Sequence, residues 1–146
     1  ENIDMLGMGP FIPHHNTPFK YLIDSFNPIE SLNMGLKMIA VCRIALKDVN
    51  IASTTALQAI HPEGRELGLK AGANVLMPNI TDTKYRAGYQ LYEGKPGLNE
   101  TAIQFQNELE KHIYAIGETI GYDQWGDSKH FFKRINKRKS EANTEN

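Results

Sequence analysis

The sequence is poor in several features that would define large classes of protein. It has one cysteine, Cys42, in 146 residues, which excludes an internal disulfide framework and points to a reducing compartment. No apolar run approaches the length of a membrane span, and no signal-peptide pattern is present. The net charge of -1 gives no bulk preference for nucleic acid or for an acidic surface. We therefore expect a cytoplasmic protein with neither nucleic acid nor membrane as a partner.

The chain also lacks an initiator methionine. It opens with the letters ENID and enters an apolar strand almost at once. Because a natural N-terminus rarely begins inside a buried strand, we expect a fragment of a longer protein.

A strand followed by helix-forming sequence occurs three times. The strands are predicted at Ile3 to Met8, Asn50 to Thr55 and Ala73 to Met77. Asn27 and Pro28 are typical of a helix start. Leu32, Leu36, Ile39, Ala40 and Ile44 form one face of the helix that follows. Because Met38 to Leu46 is apolar apart from Arg43, the whole helix is predicted to be largely buried. A second helix begins near Pro62 and stops at Gly72. This order predicts an α/β fold with a parallel sheet.

The last third of the chain has a different pattern. Asn99 is predicted to cap a long helix whose apolar stripe includes Phe105 and Ile113 and which ends at Gly121. After Tyr122 the pattern decays into a basic, polar terminus. We therefore divide the chain into residues 1–97 with the strand–helix units, residues 98–126 with a helical cap, and residues 127–146, a tail predicted to be disordered.

In parallel α/β folds, ligands bind at the carboxyl ends of the strands. That rule selects Gly9 to Pro13, Thr54 to Ala56 and Met77 to Asn79, overhung by a tyrosine-rich loop. These residues offer hydroxyls, amides, methionine and aromatics, and Asp82 is the only acid close by. Such a lining suits an apolar ligand with a few polar groups, or a cofactor that itself supplies the reactivity.

Plainer structural roles remain open for each of these residues. Thr54 and Thr55 are also what a strand end commonly contains, and Met5 and Met77 are common core residues. Cys42 is expected to fill the core. No histidine has matching ligands nearby, so we expect no metal site within the chain.

Three motifs carry a resemblance to a known family. IDMLGMGPFIPHHNTPF, NIASTTALQAIHPEGRELGLKAGANVLMPNIT and YRAGYQLYEGKPG resemble the C-terminal part of the HydE family, the radical S-adenosylmethionine maturases of FeFe-hydrogenase, which are related to biotin synthase. The resemblance covers about Ile3 to Gly97. From Leu98 on it is limited to a helical cap and a D-x-W-G pattern at Asp123 to Gly126.

The resemblance implies the last three or so units of a (β/α)8 TIM-type barrel plus the cap. It implies that the full-length protein is an enzyme that binds S-adenosylmethionine and one 4Fe-4S cluster. Through a 5′-deoxyadenosyl radical, that enzyme would help to assemble the dithiolate-bridged di-iron subsite of the hydrogenase. A small organoiron or other small-molecule substrate is implied, and other hydrogenase maturation proteins are candidate partners.

The resemblance also assigns roles to residues of this sequence. They are the substrate-binding or S-adenosylmethionine-binding residues Met5, Pro10, Ile12, Thr54, Thr55, Ala56, Met77, Tyr89 and Tyr92. The threonines with Ala56 would contact a small anionic or carboxylate group. Pro10 and Ile12 would lie near the adenosyl group, and the tyrosines would cover the mouth of the chamber.

The departures from the family pattern limit what this chain does alone. The C-x-x-x-C-x-x-C loop that holds the cluster is absent, so no catalytic or metal-binding residue is expected here. Pro96 to Asn99 replaces the cysteines that some members use for an accessory cluster, and we expect no second cluster. The alternatives are a related radical mutase or synthase of the methylornithine synthase or biotin synthase type, and a non-catalytic half-barrel that binds a partner.

Overall fold

The computed structural model describes residues 3–78, 81–86, 88 and 102–144. Within them the order of elements along the chain alternates short strands with helices. It is β1 (Met5–Leu6), a 3₁₀ helix (Pro18–Leu22), α1 (Pro28–Leu46), β2 (Asn50–Ile51), α2 (Thr55–Ile60), α3 (Gly64–Lys70), α4 (Thr83–Arg86), α5 (Ala102–Ala115) and α6 (Lys129–Thr144). The described part is therefore rich in helix and has a small parallel sheet, as an α/β fold requires.

The sheet confirms the parallel arrangement but its strands are shorter than predicted. β1 and β2 pair in parallel with Met5 opposite Asn50 and Leu6 opposite Ile51. A single parallel bridge then joins Ala52 to Val75, where a full third strand was predicted. Of the two residues of β1, Met5 is 45% exposed and Leu6 is half-buried, so one face of this strand is open in the described part of the chain.

The α1 helix begins where the sequence predicted, with Asn27 as its cap and Pro28 as its first residue. The side-chain oxygen of Asn27 accepts hydrogen bonds from the backbone N–H groups of Ile29 (3.1 Å) and Glu30 (3.2 Å). Pro28 occupies the first helical position, where its missing N–H costs nothing. The cap and the proline therefore fix where the helix begins.

The core lies between one face of α1, the sheet and α2. Its buried residues are Leu32, Ile39, Val49, Ile51, Leu57 and Ala73, and the half-buried Cys42 packs against them as predicted. The prediction that α1 is largely buried was wrong, because its other face is open. Ile44, expected on the buried stripe, is 75% exposed, and Val41 is 59% exposed.

A polar network ties together the amino-terminal ends of the strands. Arg43 donates hydrogen bonds to the carbonyl oxygens of Gly72 (2.8 Å) and Val49 (2.7 Å) and to Asn74 Oδ1 (2.8 Å). Asn74 Oδ1 also accepts from the backbone N–H of Ile51 at 2.8 Å. The α1 helix, β2 and the segment that leads to the third strand are thus held by one guanidinium group and one amide.

The α5 helix ends earlier than its apolar stripe predicted. Phe105 and Ile113 are buried, but the helix stops at Ala115 and not at Gly121. Gly117 has φ +82°, and its backbone N–H donates to the carbonyl oxygen of Tyr114 at 3.0 Å. Because glycine tolerates this left-handed conformation, the chain turns there.

The α6 helix stands where the sequence predicted a disordered tail. Ser128 is 2% exposed, and its Oγ accepts a hydrogen bond from the backbone N–H of Phe131 at 3.0 Å. Arg134 pairs with Asp4, just before β1, and Lys133 pairs with Asp48, just before β2. These distant partners order a segment that has little apolar pattern of its own. None of the helices in the described ranges is long and apolar enough to cross a membrane.

Candidate functional site

The carboxyl ends of β1 and β2 come together as the parallel arrangement predicted. A Cβ placed on Gly9, beyond β1, would lie 2.5 Å from Thr54 Oγ1 and 3.2 Å from the Cβ of Ala56. Thr54 lies three residues beyond the end of β2, and Ala56 lies in the first turn of α2. The approach is so close that only glycine fits at position 9 without displacing Thr54. The two strand ends therefore form one continuous rim.

Thr54 and Thr55 do not finish a strand. β2 ends at Ile51, Thr54 is the N-cap residue of α2, and Thr55 is its first helical residue. The prediction of strand through Thr55 was wrong because the residues after it, Ala56 to Ile60, favour helix and override the β-propensity of the threonines. The rim thus begins at a helix start.

The hydroxyl of Thr54 is the chemically distinctive group at the rim. Its Oγ1 is enclosed and has no hydrogen-bond partner among the residues that the structure describes. Thr54 does not use its hydroxyl to cap α2, since its side chain makes no capping hydrogen bond. Buried hydroxyls are normally paired, so an unpaired one at a strand end is a candidate contact for a ligand.

A cavity of about 620 Å³ opens beside the rim, between the loop after β1 and α1. Its walls are mainly apolar and include Pro10, Phe11, Met34, Met38 and Leu57. A cavity of this size falls within the range of sites for small molecules. Sequence reasoning identified Pro10 but missed the methionines. Their spacing of four residues, on a helix face other than the predicted stripe, was the available signal.

The remaining predicted site residues lie away from the rim or fall outside the residues that the structure describes. Met5 lies within β1, Ile12 is half-buried in the loop that follows, and Met77 is 54% exposed two residues beyond the bridge at Val75. Tyr89 and Tyr92 fall outside the described residues. The structure therefore brings together Gly9, Thr54 and Ala56, with Pro10 adjoining the cavity.

His14, His61 and His112 each have a structural partner within the described part of the chain. His14 Nδ1 accepts from the backbone N–H of Asn16 (3.1 Å), and His61 Nδ1 accepts from that of Glu63 (3.2 Å). His112 Nδ1 lies 2.6 Å from Glu66 Oε1. Over the same residues, no group of three histidine, cysteine, aspartate or glutamate side chains is placed to hold a metal ion.

Two aspartates with lowered pKa values lie at the amino-terminal edge of the sheet, opposite the rim. The hydrogen bond from His130, together with the positive charge of Arg134, lowers the pKa of Asp4 below its usual value. The hydrogen bond from Lys133 lowers the pKa of Asp48 in the same way. Both aspartates precede the strands, so these ion pairs fasten α6 and take no part in the rim.

Comparison with known proteins agrees with the motifs. The chain is 42% identical over 134 residues to the [FeFe] hydrogenase maturase subunit HydE of Thermotoga maritima. The resemblance to HydE is confirmed. The match covers 92% of this chain but 37% of that HydE, so the chain spans little more than a third of its relative. No family model matches the chain.

The resemblance to HydE implies two cofactors, an iron–sulfur cluster and S-adenosylmethionine, and the residues of this chain fit the second better than the first. An iron–sulfur cluster needs three or four thiolates, whereas the sequence has one cysteine. That cysteine, Cys42, is half-buried against the core, so the chain does not fit a cluster. The adenosyl and polar groups of S-adenosylmethionine fit better, since the rim offers Pro10 and the hydroxyl of Thr54, which has no partner within the described ranges.

Proposed function

We propose that this chain forms one wall of the substrate chamber in a radical S-adenosylmethionine maturase of [FeFe]-hydrogenase. The observation that carries the proposal is the 42% identity to a HydE over 92% of the chain. The close approach of Gly9 to Thr54 at the strand ends supports it, because ligands bind at that edge of parallel folds. In this proposal the chain is the C-terminal part of a (β/α)8 barrel.

Each part of the rim has a separate task in this proposal. Pro10 and Ile12 provide apolar contacts to the adenosyl group, and the hydroxyl of Thr54 donates a hydrogen bond to a small anionic or carboxylate group. The neighbouring Thr55 and Ala56 shape the same corner at the start of α2. A rim built from a hydroxyl and apolar groups orients a substrate and excludes water without itself exchanging protons.

The outer parts of the chamber are assigned on the resemblance to HydE. Met5 and Met77 would line its walls, and Tyr89 and Tyr92 would cover its mouth. Together with a 4Fe-4S cluster held by other polypeptide, bound S-adenosylmethionine supplies a 5′-deoxyadenosyl radical. The substrate in this proposal is a small organoiron precursor of the dithiolate-bridged di-iron subsite. Other hydrogenase maturation proteins would be partners in the cytoplasm.

The open surfaces of the chain support a role within a larger protein. The outer face of α1 exposes Met34 (59%), Val41 (59%) and Ile44 (75%), and Met34 also lines the apolar cavity. Contiguous apolar surface of this kind mostly contacts other polypeptide. We propose that the remainder of the barrel covers it and that this chain alone does not catalyse the reaction.

The test uses the full-length gene product, reconstituted without oxygen. We expect a C-x-x-x-C-x-x-C loop upstream of Glu1, reductive cleavage of S-adenosylmethionine to 5′-deoxyadenosine, and rescue of a strain that lacks its hydrogenase maturase. Cleavage without rescue would favour a related mutase or synthase. Absence of the cysteine loop and of cleavage would contradict the radical mechanism and leave a non-catalytic binding protein.

A further inference from the structure

The turn between α5 and α6 presents a large aromatic side chain to solvent. Trp125 is 84% exposed, and Tyr122 nearby is 50% exposed. Asp123 and Asp127 flank the tryptophan and are exposed as well. We call residues 121–127 the tryptophan turn. Tryptophan is usually well buried in monomers and is enriched at the centres of protein interfaces, so its position here calls for a partner.

The tryptophan turn is fixed to the body of the protein. The Asn50 side-chain N–H donates to the carbonyl oxygen of Gly126 at 2.7 Å. Ser128, which follows the turn, is 2% exposed, and the His130 backbone N–H donates to the carbonyl oxygen of Asp48 at 3.1 Å. Because these contacts already order the turn, binding through Trp125 would cost little conformational entropy.

The α6 helix that follows has two unlike halves. In its first half, Lys133 and Arg134 pair with aspartates that precede the strands. In its second half every residue from 136 to 141 is exposed, including the consecutive cations of residues 137–139. We call residues 137–139 the basic end of α6. Over residues 129–141, lysine and arginine outnumber aspartate and glutamate by six to one.

The tryptophan turn and the basic end are complementary to each other. The turn combines an indole ring with carboxylates, whereas the basic end offers the ammonium group of Lys139 and the guanidinium of Arg138. The third cation, Lys137, has its Nζ 3.9 Å from Oε1 of Glu141. A guanidinium stacks favourably on the face of an indole. Arg138 lies nine residues beyond Lys129, about 14 Å along the helix at 1.5 Å per residue, so the two surfaces of one molecule are separated along α6.

We propose that two copies of this chain pair through these surfaces, the tryptophan turn of each against the basic end of the other. A two-fold axis that sets the two α6 helices antiparallel makes both contacts at once, as an isologous interface requires. The carboxylates at positions 123 and 127 then face the cations at positions 138 and 139. This pairing is independent of the proposed function. It uses the amino-terminal edge of the sheet, where α6 is fastened, and leaves the strand-end rim open.

The experiment uses the single tryptophan of the chain as its own reporter. Sedimentation velocity and acrylamide quenching of Trp125 fluorescence are measured on the full chain from low to high micromolar concentration. We expect self-association that shields Trp125. It should weaken as salt rises, because screening shortens from about 10 Å at 0.1 M to about 3 Å at 1 M ionic strength.

Paired variants make the test specific. Asp127→Lys alone and Arg138→Glu alone should each weaken self-association about tenfold, whereas mixing the two variants should restore it because each turn again meets an opposite charge. Lys20→Glu with Lys37→Glu, on other exposed lysines, is the matched control and should change nothing. A chain that stays monomeric overturns the proposal. So does association that persists in high salt and in both single variants, as association through the apolar face of α1 would.

Discussion

At the scale of single residues, Gly9 and Thr54 form the most constrained contact of the rim. A Cβ on Gly9 would approach Thr54 Oγ1 to 2.5 Å, which real Cβ atoms do not do. The hydroxyl that it would meet is enclosed and has no partner in the described part of the chain. The pair therefore joins a steric constraint to an unpaired polar group, and each half can be tested separately.

The first prediction concerns Gly9→Ala. We expect it to lower the free energy of unfolding by about 1–3 kcal/mol, as overpacking of a filled site does. Thr54→Ala in the same chain removes the hydroxyl that the new methyl group meets, so the double variant should recover much of the loss. Urea denaturation of the four proteins forms a double-mutant cycle. Additive effects would show that the two residues do not touch.

The second prediction concerns Arg43. Arg43→Met keeps an unbranched apolar stem but removes the donors to Gly72, Val49 and Asn74. Because four acceptors, these three and the carbonyl oxygen of Lys47, then each lose one hydrogen bond, we expect the free energy of unfolding to fall by about 2–4 kcal/mol. Lys37→Met, on an exposed position of the same helix, is the control. Equal stability of the two variants in urea would contradict the network.

At the scale of elements, the helices show which predictions a sequence supports. Asn27 and Pro28 act within a few residues of the chain, so the start of α1 was predicted correctly. The α2 helix was missed because Thr54 and Thr55 have strand preference of their own, and the following residues decided the outcome. The α6 helix was missed because its partners, Asp4 and Asp48, are far away along the chain.

The same reasoning applies to the site. The meeting of Gly9 with the start of α2 followed from the parallel order of the strands, which a sequence pattern reveals. The cavity could not be predicted in this way, because the face of α1 that carries Met34 and Met38 could equally have been buried. Periodicity indicates that a helix has apolar faces, whereas only the packing of neighbouring elements decides which of them is covered.

The third prediction is a pH dependence in the fastening of α6. The pKa of Asp4 is lowered in the folded protein by His130 and Arg134, so its contribution to stability is present above the unfolded pKa of about 3.9. That contribution is lost as pH falls through the lower folded pKa. Asp4→Asn should therefore be less stable than the parent near neutral pH, and the difference should shrink as the solution is acidified.

The measurement is urea unfolding of both proteins across the acidic range, with amide exchange of α6 as a local readout. Asp24→Asn, on an exposed aspartate near the 3₁₀ helix, is the control and should show a smaller difference. A stability difference between Asp4→Asn and the parent that is independent of pH would show that the carboxylate charge does not hold α6.

At the scale of the whole molecule, two edges of one small sheet have different tasks. Ion pairs and the Arg43 network hold the amino-terminal edge together. The carboxyl-terminal edge carries a required glycine, an apolar cavity and a hydroxyl that has no partner among the described residues. The stabilising contacts and the proposed ligand contacts are thus separated in space. We therefore expect a change that keeps the shape of the rim, such as Thr54→Val, to impair function without unfolding the protein.

The most direct test is turnover by the reconstituted full-length enzyme that carries Thr54→Val, with its iron content measured in the same preparation. Valine keeps the shape of threonine but lacks the hydroxyl, so the account predicts unchanged cluster content and stability but turnover reduced about tenfold, as loss of a hydrogen bond to a charged group would give. Tyr89→Phe is predicted to act in the same direction, and Thr119→Val, on an exposed threonine after α5, is the matched control. Turnover equal to that of the parent enzyme in Thr54→Val would contradict the central claim that these strand ends contact the substrate.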